Sequence, residues 1–233
     1  MKKIAIFSDI HGNLQALNSI IEDIDKSTFD EVICLGDIVG IGPNPKECLD
    51  IIMDSNIKVV KGNHEIYQTN EEVAGTLLTD NEKEHRNWVH SELNNDQLEY
   101  LHKLPMKIEE LIEGHLYTFT HFYLNKDKTY FESLTILGND KVFEISNKIE
   151  TDYMFIGHSH DPFQIYNSSL ITCIGSSGCR KSNTTFYTIL EIDSNNVRIT
   201  RKEVFYDRKA LEKEINKKDY PDKDKVAKIF FGI

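Results

Sequence analysis

The sequence is poor in the residues that mark several protein classes. It has four cysteines among 233 residues, Cys34, Cys48, Cys173 and Cys179, and none forms a C-x-x-C pair. A disulfide framework is therefore excluded as the source of its order, which fits a reducing compartment. Cys34, Cys48 and Cys173 sit in apolar runs and read as small core residues. No stretch approaches the ~20 apolar residues of a membrane-spanning helix. The opening Met1-Lys2-Lys3 imitates the basic flank of a signal peptide, but the apolar run Ile4 to Phe7 is too short for one and meets Ser8-Asp9. A cytoplasmic protein with no membrane partner is expected. Positive charge is also scarce, with 27 Lys and Arg against 38 Asp and Glu and a net charge of −11. Long nucleic acid, which needs a basic stripe, is a poor partner. A small phosphorylated substrate, nucleotides included, stays compatible, because bound cations reverse the sign locally. Internal repeats, low-complexity tracts and linker-like composition are missing too. One domain over 1–233 is expected, and oligomeric state leaves no signature.

What the chain does have is alternation. Lys3–Phe7, Glu31–Leu35 and Ile57–Val60 are short apolar runs that read as buried strands. Between them, Asn13 to Ile24 places Leu14, Leu17, Ile20, Ile21 and Ile24 at helical spacing. Asn44-Pro45-x-Glu47 is a helix start, with an asparagine cap, proline at the first position and glutamate at the third. The β-α-β-α-β order implies parallel strands with right-handed crossovers. A polar helical insert follows over about 64–105, with helices at 80–93 and 95–103. From Met106 the texture turns to strands at 106–112, 115–120, 153–156, 163–166, 170–174, 185–192 and 197–204. Gly114 and Asn195-Asn196 look like hairpin turns. A polar loop or lid is expected over 123–135, a helix over about 138–149, and a helical tail over about 207–233 with a break at Tyr220-Pro221-Asp222. So many strands exceed a single sheet. The expected fold is α/β, with two sheets packed face to face and helices outside.

Five fragments carry the chemistry: Asp9-Ile10-His11, Gly36-Asp37, Gly62-Asn63-His64, His121, and Gly157-His158-Ser159-His160, the last holding two candidates. In open α/β sheets, ligands bind outside the carboxyl ends of the strands. Asp9, Asp37, Asn63, His121 and the His158/His160 pair each follow a different strand, a repetition that scattered surface residues would not produce. The set exceeds what one metal ion needs and matches two. Carboxylates mixed with imidazoles suit manganese foremost, then iron, zinc or nickel, better than calcium or magnesium. Two ions ~3.5–4 Å apart can clamp a phosphate and lower the pKa of a bridging water. Asp37 is the candidate bridge. His64, next to a ligand, is expected to stay unligated and to act on the leaving oxygen or the equatorial charge.

The string SDIHGN, GDIVGIGPNP, GNHE, TH and GHSH, from Lys3 to about Glu191, resembles the calcineurin-like metallophosphoesterase superfamily, and most of all its compact bacterial phosphodiesterase or diadenosine-tetraphosphatase-like branch. The resemblance implies a four-layer α/β/β/α sandwich with two mixed sheets. It implies one metal on Asp9, His11, Asp37 and His160, a second on Asp37, Asn63, His121 and His158, and catalysis by His64. Candidate substrate contacts are Asn13 and a basic residue in Gly175-Ser176-Ser177-Gly178-Cys179-Arg180-Lys181, with Arg180 or Lys181 both open. Protein phosphatases of the superfamily carry G-D-x-V-D-R-G; here Gly40 and Ile41 replace the aspartate and arginine. A phosphodiesterase is therefore expected ahead of a phosphomonoesterase or protein phosphatase. A non-catalytic scaffold of the same fold is disfavoured because His64 is present. His85, His90, His102 and His115 read as surface residues, Glu65 as either a support of the site or a surface residue, and Asp222–Lys228 as a solvated helix face. Specificity is expected in the loops 66–92 and 122–140.

Overall fold

The computed structural model describes residues 1–69, 78–124, 131–132 and 149–233. Strand β1 (Lys2–Phe7) is followed by α1 (Leu14–Asp25), β2 (Glu31–Cys34), α2 (Pro45–Met53), β3 (Lys58–Val59) and α3 (Asn63–Thr69). β1, β2 and β3 pair in parallel, as the alternation implies. Helices α4 (Asp80–Glu92) and α5 (Asn95–Lys103) each start with a reciprocal capping box, Thr79 with Glu82 and Asn94 with Gln97. Asn44 departs from expectation. It occupies the cap position of α2, but its side chain makes no cap bond, and Pro45 supplies the start.

The second half is built from β4 (Lys107–Ile112), β5 (His115–Thr120), β6 (Tyr123–Leu124), β7 (Phe131–Glu132), β8 (Tyr153–Ile156), β9 (Phe163–Tyr166), β10 (Leu170–Cys173), β11 (Thr184–Ile192) and β12 (Val197–Phe205). β4 and β5 turn at Glu113-Gly114, both at positive φ, the geometry that matches hairpin twist. β6 and β7 form a two-stranded antiparallel pair within the segment expected to be loop. The helix expected over 138–149 lies outside the described residues apart from its last position, as do most of the 123–135 segment and parts of both expected specificity loops.

Two mixed five-stranded sheets result, ordered β12-β11-β1-β2-β3 and β4-β5-β8-β10-β9. Period-2 alternation decides the packing. Ile4, Ile6, Ile33, Leu35 and Leu190 face Tyr117, Phe119 and Phe155 across the gap between the sheets. The opposite face of the first sheet, through Ala5, Phe7 and Cys34, packs on Leu17, Ile20 and Ile24 of α1 and Cys48, Leu49 and Ile52 of α2. The outer face of the second sheet carries Met154, Ile156, Ile171 and Cys173, against which Ile149 packs. All four cysteines are free thiols, and among the described residues no helix is long and apolar enough to cross a membrane.

The tail continues as α6 (Arg208–Lys217), α7 (Lys223–Val226) and a π-helical turn, Ala227–Phe231. Tyr206, Leu211, Ile215, Ala227 and Phe231 pack on Ala16 and Ile41. The tail is thereby fixed beside the loop that follows β2.

The two sheets are also tied at the end opposite these loops. Lys2 bridges Glu31 (2.5 Å) and Glu110 (2.6 Å), and Lys58 bridges the same two carboxylates (2.7 and 2.8 Å). Burial pushes Glu110 up, but hydrogen bonds from Lys2 and Lys58 outweigh it and hold its carboxyl at about 2. A depressed folded-state pKa adds stability above the ordinary value of 4.5 that is lost as pH falls toward about 2. Glu110→Gln is thus expected to cost about 1 kcal/mol near neutrality and much less at pH ~3. Urea midpoints of the two proteins at both pH values test this; an equal gap at both would refute it.

Candidate metal centre

The loops after β1, β2, β3, β5 and β8 meet at one end of the two sheets, and backbone hydrogen bonds lock them. Asp9 N donates to Gly36 O (3.0 Å), His11 N to Asp37 O (2.9 Å), Gly157 N to His121 O (3.0 Å) and Gly178 N to Asp9 O (3.0 Å). Asp9, His11, Asp37, His158 and His160 all adopt left-handed backbone, with φ between 50° and 65°. Non-glycine residues rarely sit there, and each costs on the order of 1–3 kcal/mol unless the surroundings over-determine it. Five strained positions in one cluster aim five donor side chains at a common point.

All seven expected ligands converge. Asp37 Oδ2 lies 3.2 Å from His121 Nε2 and 3.5 Å from His11 Nε2. Asn63 Oδ1 lies 3.2 Å from His121 Nε2 and 2.8 Å from His158 Nδ1. His11 Nε2 and His160 Nε2 are 3.0 Å apart, and Asp9 Oδ1 is 3.7 Å from the first and 3.5 Å from the second. Asp9, His11, Asp37 and His121 are essentially sealed from solvent.

The donor chemistry fits a cation. His121 Nδ1 donates to the Leu35 carbonyl at 2.6 Å, so Nε2 is the nitrogen turned to Asp37 and Asn63; it carries a proton in the protein alone and would offer its lone pair to a bound cation. Neither Asp9 nor Asp37 pairs with a lysine or arginine among the described residues, and a buried carboxylate needs a positive partner. In the protein alone the histidines supply it. Burial pushes Asp9 up, yet His121, the His11 hydrogen bond and His160 bring it down to about 2. Burial likewise opposes the lowering of Asp37, which His121, His64 and His11 drive well below the carboxylate range. His121 shows the counterpart: burial lowers it, but Asp37 and Asp9 raise it to about 9. Protons there balance charge that divalent cations would balance better. Two triads of close donors share Asp37: His11, Asp37 and His64, and Asp37, His121 and His158.

His64 is brought into the same cluster, its ring 4.8 Å from that of His11. Burial, only partly offset by Asp37, depresses its pKa to about 3, so the ring is neutral. Gly40 explains how it fits. A Cβ there would collide with His64 Nδ1 and come within 2.8 Å of Cε1, and the backbone φ is +88°. Gly40→Ala is expected to push the imidazole aside and lower kcat by roughly 10²-fold, with metal content unchanged. A wild-type kcat in this variant would show that the ring position is unimportant.

Glu65 stands behind the site, fully buried. Its carboxylate accepts from the backbone N–H groups of Asp37 (2.7 Å), Ile38 (2.9 Å), Val39 (3.2 Å) and Gly62 (2.9 Å). The two expected substrate contacts are placed elsewhere. Asn13 is sealed and used structurally: its Oδ1 accepts from Ala16 N, capping α1, and its Nδ2 donates to Gly178 O. Arg180 is directed to β11 and β12, its guanidinium 4.8 Å from the Phe186 ring and 3.9 Å from Glu203, and Lys181 is exposed. None of these side chains borders the cavity above the donor cluster.

That cavity, about 830 Å³, opens over Asn63, His64 and His158. α4 forms one wall through Asn81, His85 and Arg86, and the tail forms the other through Asp222, Lys225, Val226, Ile229 and Phe230. His85 is therefore no surface residue; it is half-buried between Trp88 and Tyr220. Asp222 and Lys225 belong to the wall, not merely to a solvated helix face. Cys179, unsuspected from sequence, lies within 4.8 Å of the His11 and His160 donors.

The model of the calcineurin-like phosphoesterase superfamily domain matches residues 1–195. The chain belongs to this superfamily. Membership is consistent with metal-dependent phosphoester hydrolysis, and the chain holds His/Asp groups that could bind a metal. An uncharacterized protein of Methanocaldococcus jannaschii is 36% identical over 168 residues, covering 69% of this chain and 63% of that relative. The chain therefore spans somewhat less than two thirds of the length of that relative. Among solved structures, a metallophosphoesterase from Sphaerobacter thermophilus aligns with a TM-score of 0.75 at 23% identity, over 99% of this chain and 100% of the other. A hypothetical protein of Pyrococcus horikoshii aligns at 0.78 and 21%, over 100% and 99%. Both similarities concern the fold.

Proposed function

We propose that this protein is a phosphodiesterase that holds two divalent transition-metal ions, manganese foremost, and hydrolyses small phosphodiester or nucleotide-type substrates. The reading is carried by the meeting of Asp9, His11, Asp37, Asn63, His121, His158 and His160 beneath a cavity that His64 borders. Following the superfamily pattern, Asp9, His11, Asp37 and His160 would hold one ion, and Asp37, Asn63, His121 and His158 the other. Bound there, the ions would supply Lewis-acid polarisation of the phosphoryl group and a more acidic water.

The chain's own residues supply position and protons. Asp37 Oδ1 accepts from the His64 backbone N–H at 2.9 Å, so the shared carboxylate and the imidazole hold one another in register. Neutral His64 donates an N–H hydrogen bond to the leaving oxygen, where negative charge develops. Ile41 favours a diester. A monoester dianion needs more positive charge than a diester monoanion, and the arginine that protein phosphatases place here is an isoleucine.

Metal-stripped protein reloaded with manganese should bind about two equivalents per chain by elemental analysis. It should turn over bis-p-nitrophenyl phosphate at least about tenfold faster than p-nitrophenyl phosphate or a phosphopeptide. Dominant phosphopeptide turnover, or loaded protein inert toward every ester, would overturn the proposal.

A further inference from the structure

The cavity has two unlike sides. The α4 side is polar, with Asn81, Glu82, His85 and Arg86. The other, formed by Ile41 and the tail, includes the charged Asp222 and Lys225 but presents an apolar group, Ile41, Val226, Ile229 and Phe230, and this group adjoins the donor cluster directly: the Phe230 ring lies 5.9 Å from that of His160, at 64°. Two backbone features hold this side in unusual conformations. Ile41, a β-branched residue, sits at φ 57°, an outlier that persists only where its surroundings require it. Phe230 lies in a π-helical turn, a rare geometry that recurs at functional sites. Both are held by one cluster, since Ile41 packs on Phe231 and Ala227 and Phe230 packs against that group. The Arg208 guanidinium also donates to Gly232 O at 2.7 Å, fixing the end of the turn. Folding thus places a half-buried aromatic face beside a metal ligand, in the cavity that His64 borders. Simple core packing does not ask for this, because Phe231 already fills the cluster.

We infer that this apolar side is a subsite for the ring of an aromatic ester group, a nucleobase or an aryl ring, and that Phe230 is its specificity-determining residue. The inference rests on the phosphodiesterase reading. A planar ring stacks or packs edge-on against Phe230 while Ile41 covers its rim, and the phosphate reaches the donor cluster. A ringless diester leaves the side unfilled and gains nothing from it.

Manganese-loaded wild type, Phe230→Ala and Phe230→Leu are compared on three diesters: bis-p-nitrophenyl phosphate, a dinucleoside monophosphate and glycerophosphoethanolamine. Phe230→Ala should raise KM for the ring-bearing diesters about tenfold with kcat little changed, and leave glycerophosphoethanolamine unaffected. Phe230→Leu should fall between, and melting curves confirm that both variants are folded. Whichever ring-bearing diester loses more identifies the ring as nucleobase or aryl. Equal losses on all three diesters, or none, would overturn the subsite. Calorimetric binding of AMP and glycerol phosphate separates it from the functional reading. If no diester is cleaved but AMP binds more tightly and Phe230→Ala erases the difference, the phosphodiesterase reading falls and the subsite stands. Equal binding of the two ligands by wild type rejects the subsite.

Discussion

Asp37→Asn is expected to lower diester turnover by roughly 10³-fold or more and to leave the protein with at most one metal equivalent. Asp37 is the carboxylate common to both donor triads that hold it. One oxygen accepts from His64 N at 2.9 Å; the other lies 3.2 Å from His121 and 3.5 Å from His11. Asparagine has nearly the same shape, so packing is kept. It removes the negative charge that offsets two cations, and one donor oxygen becomes an N–H group that repels them. The metal-free fold should weaken as well, because the Asp37 carboxylate balances His121 there. Melting in excess chelator measures that part separately: the variant should melt below wild type there, and by a wider margin in manganese, where wild type alone gains from two ions. Elemental analysis with near-normal metal content, or activity within about tenfold of wild type, would remove Asp37 from the bridging role.

The donor cluster is legible in the sequence because each donor is a short-range feature. A buried strand is a run of apolar residues, its carboxyl end is the next position, and parallel strands bring those ends together. Asp9, Asp37 and His121 need nothing more to be found. The capping boxes of α4 and α5 and the Glu113-Gly114 turn are local in the same sense. Long-range contacts were not legible. Asn13 has the residue type of a substrate contact, yet the carbonyl of Gly178, 165 residues away, occupies its amide. Arg180 was placed near the site by its loop, but its guanidinium follows the Phe186 ring on the neighbouring strand. His85 looks like a polar helix residue until Tyr220 closes over it. The tail had only a polar helical pattern, and nothing local says that it walls the cavity. The left-handed φ values were equally hidden, since no side chain of Asp9 or His160 announces them; only the interlocking of several loops makes them affordable.

Glu65→Ala is expected to cost about 4 kcal/mol or more, near the upper end of single substitutions. The reason is backbone rather than side-chain chemistry. Asp37, Ile38 and Val39 turn sharply after β2, with Asp37 at φ 52°, and their N–H groups point inward, where no strand can accept them. Gly62 N, after β3, points the same way. One carboxylate answers all four, from the first turn of α3. It bolts the loop bearing Asp37 to the loop bearing Asn63 and His64, so two parts of the donor cluster are held by a residue that stands behind it. Removing it leaves four buried donors unpaired at ~1–3 kcal/mol each, less whatever water can recover. Glu65→Gln should be nearly as harmful, because the amide N–H₂ meets N–H groups where an acceptor is needed. Urea denaturation of the metal-free proteins measures the cost without confusion from metal loss. Metal titration of the surviving folded fraction should then show weaker binding at both donor groups. A loss below about 1 kcal/mol for Glu65→Ala would mean that water replaces the carboxylate, and that the loops are held by their own backbone bonds instead.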